Sequence, residues 1–343
     1  MTFLHGVVSE NSNRPVFEFS DITRLARTTL PLLHSGGNWL LFLAALRETS
    51  FMAMTFRTFT PLAFVLTFGG IQAVANDALP DEKPLWPDGQ LGQEIYYADG
   101  EKSRAPEVSD TSPSGSNRVF SQISKPTYAI HRPQKPNGVA LVICPGGGYR
   151  DVWLDREGHD LALWLKPFGV TSLVLKYRTN NAKFPDDVYI PTVTSDARQA
   201  IRLLREDAAN LSIDPNKIGI SGFSAGGNLA LNVLFHEGAE EETRANFAGL
   251  FYPWFRQDDY AAAIEQDHAN TPPIFVMNAA DDPITPAHRC VEFYGKLLKA
   301  KVKKTELHIV NQGSHGFDLG EGCGGSAPMW KESFVKWMAD VVL

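Results

Sequence analysis

From about Tyr128 onward, short apolar runs of strand length take turns with segments whose apolar residues recur at helical spacing. "GVALVIC" runs into three glycines, "TSLVLKY" follows, and "HDLALWLKPFG" between them reads as a helix closed by glycine. Ala197, Ile201, Leu204 and Ala208 fall one helical turn apart, and Asp214-Pro215 then breaks the chain before the strand "KIGISG". "GLFYPW", "PIFVMNA" and "TELHIV" are three further strands. A helix with Val291, Tyr294 and Leu298 on one face separates the last two, and Trp330, Phe334, Trp337 and Val341 mark a closing helix. This alternation predicts a mostly parallel central sheet with helices on both faces. Ligands of such sheets bind at the loops beyond the carboxyl ends of the strands.

The residues with chemistry to offer fall at those loops. Ser224 sits in Gly-Phe-Ser-Ala-Gly between a predicted strand and a predicted helix, the context in which G-x-S-x-G is a nucleophile elbow. Gly222 and Gly226 are expected where a side chain would collide. Alone, the motif fits a plain strand-to-helix turn equally well. A serine hydroxyl needs a base within hydrogen-bond reach, and that base needs a third group to orient it. Of nine histidines, His315 in "NQGSHGF" directly follows the last predicted strand. His308 lies within that strand, and His159, His236, His268 and His288 read as ordinary surface histidines. Asp281 and Asp282 directly follow the penultimate strand, giving the chain order Ser, Asp, His. Asp282 is favoured because Asp-Pro opens the turn, with Asp281 as the fallback.

"CPGGGY", Cys144 to Tyr149, follows the first strong strand. Three consecutive glycines are costly to order and imply close approach of the backbone to another group. The expected hydrogen-bond donors to an oxyanion are the N–H groups of Gly147, Gly148 and Ala225. No Lys-Ser/Thr pair follows, so a phosphate loop is excluded. Tyr149, Trp153, Trp254 and Phe317 lie near the same loops and are candidates to stack on sugar rings.

The net charge of −7, with no stretch rich in Lys and Arg, argues against a nucleic-acid partner. Cys144, Cys290 and Cys323 form no metal-ligand pattern; Cys144 reads as a small buried hydrophobe, and a Cys290–Cys323 pairing stays open. No metal or other cofactor is expected. Upstream, Arg57 precedes an apolar run, residues 58–75, that ends in Ala-Val-Ala. A basic start, a short apolar core and an A-x-A site form the pattern of a secretory signal peptide. Residues 54–75 are therefore expected to direct export to the periplasm or the medium, with no stable membrane insertion after cleavage. Residues 1–53 are left as an extension of unsettled status, 76–118 as a lead-in of loops, and 119–343 as the catalytic α/β domain.

"VICPGGGY", "LVLKYR", "SDARQAIRLLR", "IGISGFSAGGNLA", "DDPITP" and "GSHGF" together resemble serine esterases of the α/β-hydrolase fold, in the neighbourhood of the hormone-sensitive-lipase-like enzymes. Within it the sequence is most similar to exported bacterial esterases grouped with acetyl xylan and feruloyl esterases. The resemblance covers about residues 120–343, and "PLWPDG" resembles the start of the mature domain in that group. It implies Ser224 as nucleophile, Asp282 as acid, His315 as base, and no large cap domain. It also implies a small ester or acylated polysaccharide such as xylan as substrate, with acetyl or feruloyl as the acyl group. Pro145 departs from the pattern, since the lipase-like relatives carry histidine before their glycines. A serine peptidase of the same fold and a non-catalytic carbohydrate-binding relative are the rival readings.

Overall fold

A computed structural model describes residues 78–86, 95–236, 240–256, 260–266 and 270–342. The expected signal peptide and the extension before it lie outside the described residues. Among the described residues, no helix is long and apolar enough to cross a membrane.

Eight strands form the main sheet in the order β1-β4-β7-β5-β8-β9-β10-β11. They are β1 (Lys83–Pro84), β4 (Thr127–His131), β5 (Gly138–Cys144), β7 (Thr171–Lys176), β8 (Ile213–Phe223), β9 (Ala248–Phe251), β10 (Ile274–Ala279) and β11 (Glu306–Val310). The β1–β4 and β4–β7 pairings are antiparallel, and every other pairing in the sheet is parallel. The parallel strands are continuous apolar runs because both of their faces are covered; β7 and β10 are buried along their whole length. A small antiparallel sheet, β2 (Lys102–Arg104), β3 (Val119–Ser121) and β6 (Asp151–Trp153), lies in the order β2-β3-β6. The lead-in therefore contributes strands where the sequence reads as loops. Strands of two and three residues are too short to carry a periodic signal.

Strand order decides where the helices lie. The chain moves one way from β5 to β7 through α1 (Asp160–Leu165). It then reverses past β5 to β8 through α2 (Asp186–Glu206), followed by the short α3 (Ala208–Leu211). With right-handed crossovers, that reversal puts α1 and α2 on opposite faces. From β8 the order runs outward, so α4 (Ala225–Phe235), α5 (Tyr260–Gln266) and α6 (Ala287–Lys299) join α2 on its face. Phe293 of α6 packs on Phe235 of α4 and Tyr260 of α5. On the other face, Trp330, Phe334 and Trp337 of α7 (Trp330–Val342) pack on Phe247, Phe251 and Phe275 of the sheet.

Of the α6 face that its sequence picks out, only Tyr294 packs against the core. Val291 and Leu298 are more than half exposed, while Cys290, Phe293 and Leu297 are buried. Both stripes of α6 are apolar, and only the core decides between them. All three cysteines are free thiols, which settles the Cys290–Cys323 pairing, and Cys144 is wholly buried.

Candidate active site

At the carboxyl end of β8 the chain must turn into α4 within one residue. Ser224 makes that turn at φ 50° and ψ −114°, a backbone conformation that L side chains rarely adopt. Its neighbours explain the cost. A Cβ on Gly222 would lie 2.0 Å from the carbonyl oxygen of Gly226, and one on Gly226 would lie 1.9 Å from that of Cys144. Backbone fills both positions, so glycine is required there as expected.

His315 stands on the loop after β11 and reaches Ser224. Its Nε2 lies 3.0 Å from Ser224 Oγ, and its Nδ1 lies 2.8 Å from Asp282 Oδ2. The loop after β10 fixes Asp282 almost completely. Asp282 Oδ1 accepts the N–H groups of Ile284 and Thr285, each at 2.8 Å, and Oδ2 accepts the Thr285 hydroxyl at 2.7 Å. Burial works to raise the pKa of Asp282. The hydrogen bonds from His315 and Thr285 outweigh it and hold the carboxyl below its ordinary range. An ionised Asp282 accepts a hydrogen bond from His315 Nδ1–H, which leaves Nε2 as an acceptor facing the serine. Asp281 has a separate place: its Oδ1 accepts the N–H of Ser314, next to His315.

The glycine loop lies against this serine. A Cβ on Gly146 would sit 3.0 Å from Ser224 Cβ. Gly147 turns the chain back at φ 134°, its carbonyl accepting the N–H groups of Arg150 and Asp151, and leads it into β6. Among the described residues, the N–H groups of Gly147, Gly148 and Ala225 donate to no protein acceptor. Ala225 opens α4, so its N–H stands in the positive end of the helix dipole.

The four aromatic candidates separate. Tyr149 and Phe317 are each 3% exposed, so neither can offer an open face to a sugar ring. The Tyr149 hydroxyl instead bonds Asn228 of α4 at 2.8 Å, and Phe317 packs edge-on against Tyr252. Closeness in sequence to the site loops does not report whether a ring faces in or out. Trp254 is half-buried, and its backbone N–H donates to the Ser224 carbonyl at 2.9 Å, next to the nucleophile position. Trp153 is half-buried under the guanidinium groups of Arg104 and Arg156.

Sequence reasoning missed the turn Asp155–His159, a π-helical turn that leads into α1. Arg156 donates to the carbonyl of Gly316 at 2.6 Å and pairs with Asp318, while the Glu157 carboxylate accepts the Gly146 N–H at 2.6 Å. His159, expected at the surface, is buried, with its Nδ1 2.7 Å from His131 Nε2 on β4. "DREGH" carries no periodicity and no motif, and its contacts are made with residues up to 162 positions away. No local signal could have found it.

Residues 185–268 match a family model described as the alpha/beta hydrolase fold. An acetylxylan esterase of Xylanibacter ruminicola is 30% identical over 214 residues, 55% of this chain and 43% of that protein. An ethyl acetate hydrolase of Pseudomonas putida is 32% identical over 131 residues, 36% of this chain and 39% of that protein. This chain thus spans less than half the length of these curated relatives. The crystal structure of an acetyl ester-xyloside bifunctional hydrolase from Caldicellulosiruptor lactoaceticus superposes with a TM-score of 0.54 at 26% identity, covering 77% of this chain and 97% of that one. Strand order, the turn at Ser224 and these similarities converge: the chain has the α/β-hydrolase fold and resembles ester hydrolases within it.

Proposed function

We propose that this protein is a serine esterase that removes short acyl groups through an acyl-enzyme. The hydrogen-bonded line from Ser224 Oγ through His315 to Asp282, at 3.0 and 2.8 Å, carries the reading. His315 Nε2 takes the hydroxyl proton as Ser224 attacks the ester carbonyl. The carbonyl oxygen becomes an oxyanion held by the N–H groups of Gly147, Gly148 and Ala225. Asp282 steadies the imidazolium without taking its proton. His315 then protonates the departing alcohol, and water enters by the same base to release the acid. Besides the hydrolytic water, each step is carried by the chain's own residues.

The similarity to an acetylxylan esterase and to an acetyl ester-xyloside hydrolase supports acetyl as the acyl group and acetylated xylan as the substrate class. On this reading a xylose unit is assigned to Trp254, half-buried beside Ser224, and to the part of the Trp153 ring that Arg104 and Arg156 leave uncovered. Such a polymer is met outside the cell, in agreement with the export read from residues 54–75. Ser224→Ala is expected to abolish hydrolysis of p-nitrophenyl acetate and acetate release from acetylated xylan, with circular dichroism unchanged. Hydrolysis near the wild-type rate would defeat the reading. Acetate release from the aryl ester but not from xylan would defeat the substrate class alone.

A further inference from the structure

The oxyanion loop and the base loop come from opposite ends of the domain sequence, yet one turn touches both. The Glu157 side chain is buried and holds two loops at once. Oε2 accepts the Gly146 N–H at 2.6 Å, and Oε1 accepts the Tyr252 hydroxyl at 2.8 Å. Tyr252 in turn lays its ring edge-on to His315, with centroids 5.1 Å apart, and its carbonyl accepts the Thr285 hydroxyl that also bonds Asp282. The next residue back, Arg156, fastens the far side of the base loop through Gly316 O and Asp318.

The turn itself is pinned in place. Its N–H from His159 reaches back to the Leu154 carbonyl at 3.0 Å, the five-residue spacing of a π-turn. A Cβ on Gly158 would meet Val174 at 2.6 Å and Pro145 at 3.2 Å, so the turn sits directly against β7 and the start of the glycine loop. Successive side chains on such a turn diverge, which lets Glu157 face one loop while Arg156 faces the other.

We propose that Glu157 and Arg156 are positioning residues: together they set the oxyanion loop and the His315 loop in register across Ser224. This rests on the esterase reading above. Neither side chain touches the reacting atoms in this proposal. Both fix groups that do, and an error near 1 Å in such groups costs about 10²-fold in rate. The geometry matters most when the oxyanion forms, so the loss belongs in kcat and not in KM.

The test is steady-state hydrolysis of p-nitrophenyl acetate by the full chain and its variants, with fluorophosphonate labelling of Ser224 as a control. E157A is expected to lower kcat about 10²-fold with KM within about twofold of wild type. E157Q keeps an oxygen for the Gly146 N–H and is expected to recover most of that loss. R156K keeps the charge on a side chain one-third exposed but cannot hold Gly316 and Asp318 together; about a tenfold fall in kcat is expected. An E157A variant as fast as wild type overturns the proposal, as does E157Q no faster than E157A. If E157A does not fold, R156K decides, and wild-type kcat in R156K overturns the proposal. A wild-type protein that neither hydrolyses the ester nor labels at Ser224 would instead sink the esterase reading itself.

Discussion

Asp281 and Asp282 are adjacent in the chain and differ in what surrounds them. Asp282 is buried and accepts from two backbone N–H groups, the Thr285 hydroxyl and His315, while Asp281 is exposed and takes one N–H from Ser314. An ionised carboxylate orients His315 only where its own lone pairs are already spoken for, because then it cannot rotate away. Asp282→Asn offers an amide N–H to a ring nitrogen that needs an acceptor. The opposite tautomer is then favoured, with its proton on Nε2 facing Ser224. That change is expected to cut kcat by about 10⁴-fold with KM little altered. Asp281→Asn keeps an oxygen for the Ser314 N–H and is expected to leave kcat near wild type. Steady-state kinetics on p-nitrophenyl acetate compares them, and a reversed ranking would transfer the acid's role to Asp281.

At the scale of an element, the turn at Ser224 shows why some of the site is legible in sequence. Its glycines answer to backbone atoms a few residues away, or to Cys144 on the neighbouring strand, so the constraint is written into the residue types themselves. Two glycines make the point measurable. Gly226→Ala must displace the Cys144 carbonyl, 1.9 Å from the new Cβ, and is expected to cost about 3 kcal/mol or more. Gly148 has nothing within 4 Å of its Cβ position, and its φ of 63° alone sets the penalty of Gly148→Ala at about 1–2 kcal/mol. Urea unfolding of both variants separates close approach from backbone conformation, and equal losses would refute the distinction. Other elements hide their role. The α6 segment "AHRCVEFYGKLLK" carries apolar residues on two adjacent stripes, so periodicity finds the helix but not its buried side. The turn Asp155–His159 is less legible still. Its acidic and basic residues read as solvated surface until the fold brings Gly146, Tyr252 and Asp318 around them.

For the whole molecule, the same turn ties the site to the far region of the sheet, and pH is the way to test that link. His159 closes the turn and meets His131 on β4 at 2.7 Å between ring nitrogens, a contact that needs one donor and one acceptor. Burial is the largest influence on His159 and lowers its pKa from 6.5 to about 4, against the opposing pull of Asp155. The folded protein therefore holds this ring neutral, whereas the unfolded chain protonates it near 6.5. A group of this sign contributes its full stability above about pH 6.5 and loses it as the pH falls towards 4. At 1.36 kcal/mol per unit, the loss between pH 7 and pH 5 comes to about 2 kcal/mol. Urea midpoints at the two pH values measure it, and His159→Asn, which cannot titrate, is expected to flatten the difference by about that amount. A variant as acid-sensitive as wild type would place the sensitivity elsewhere.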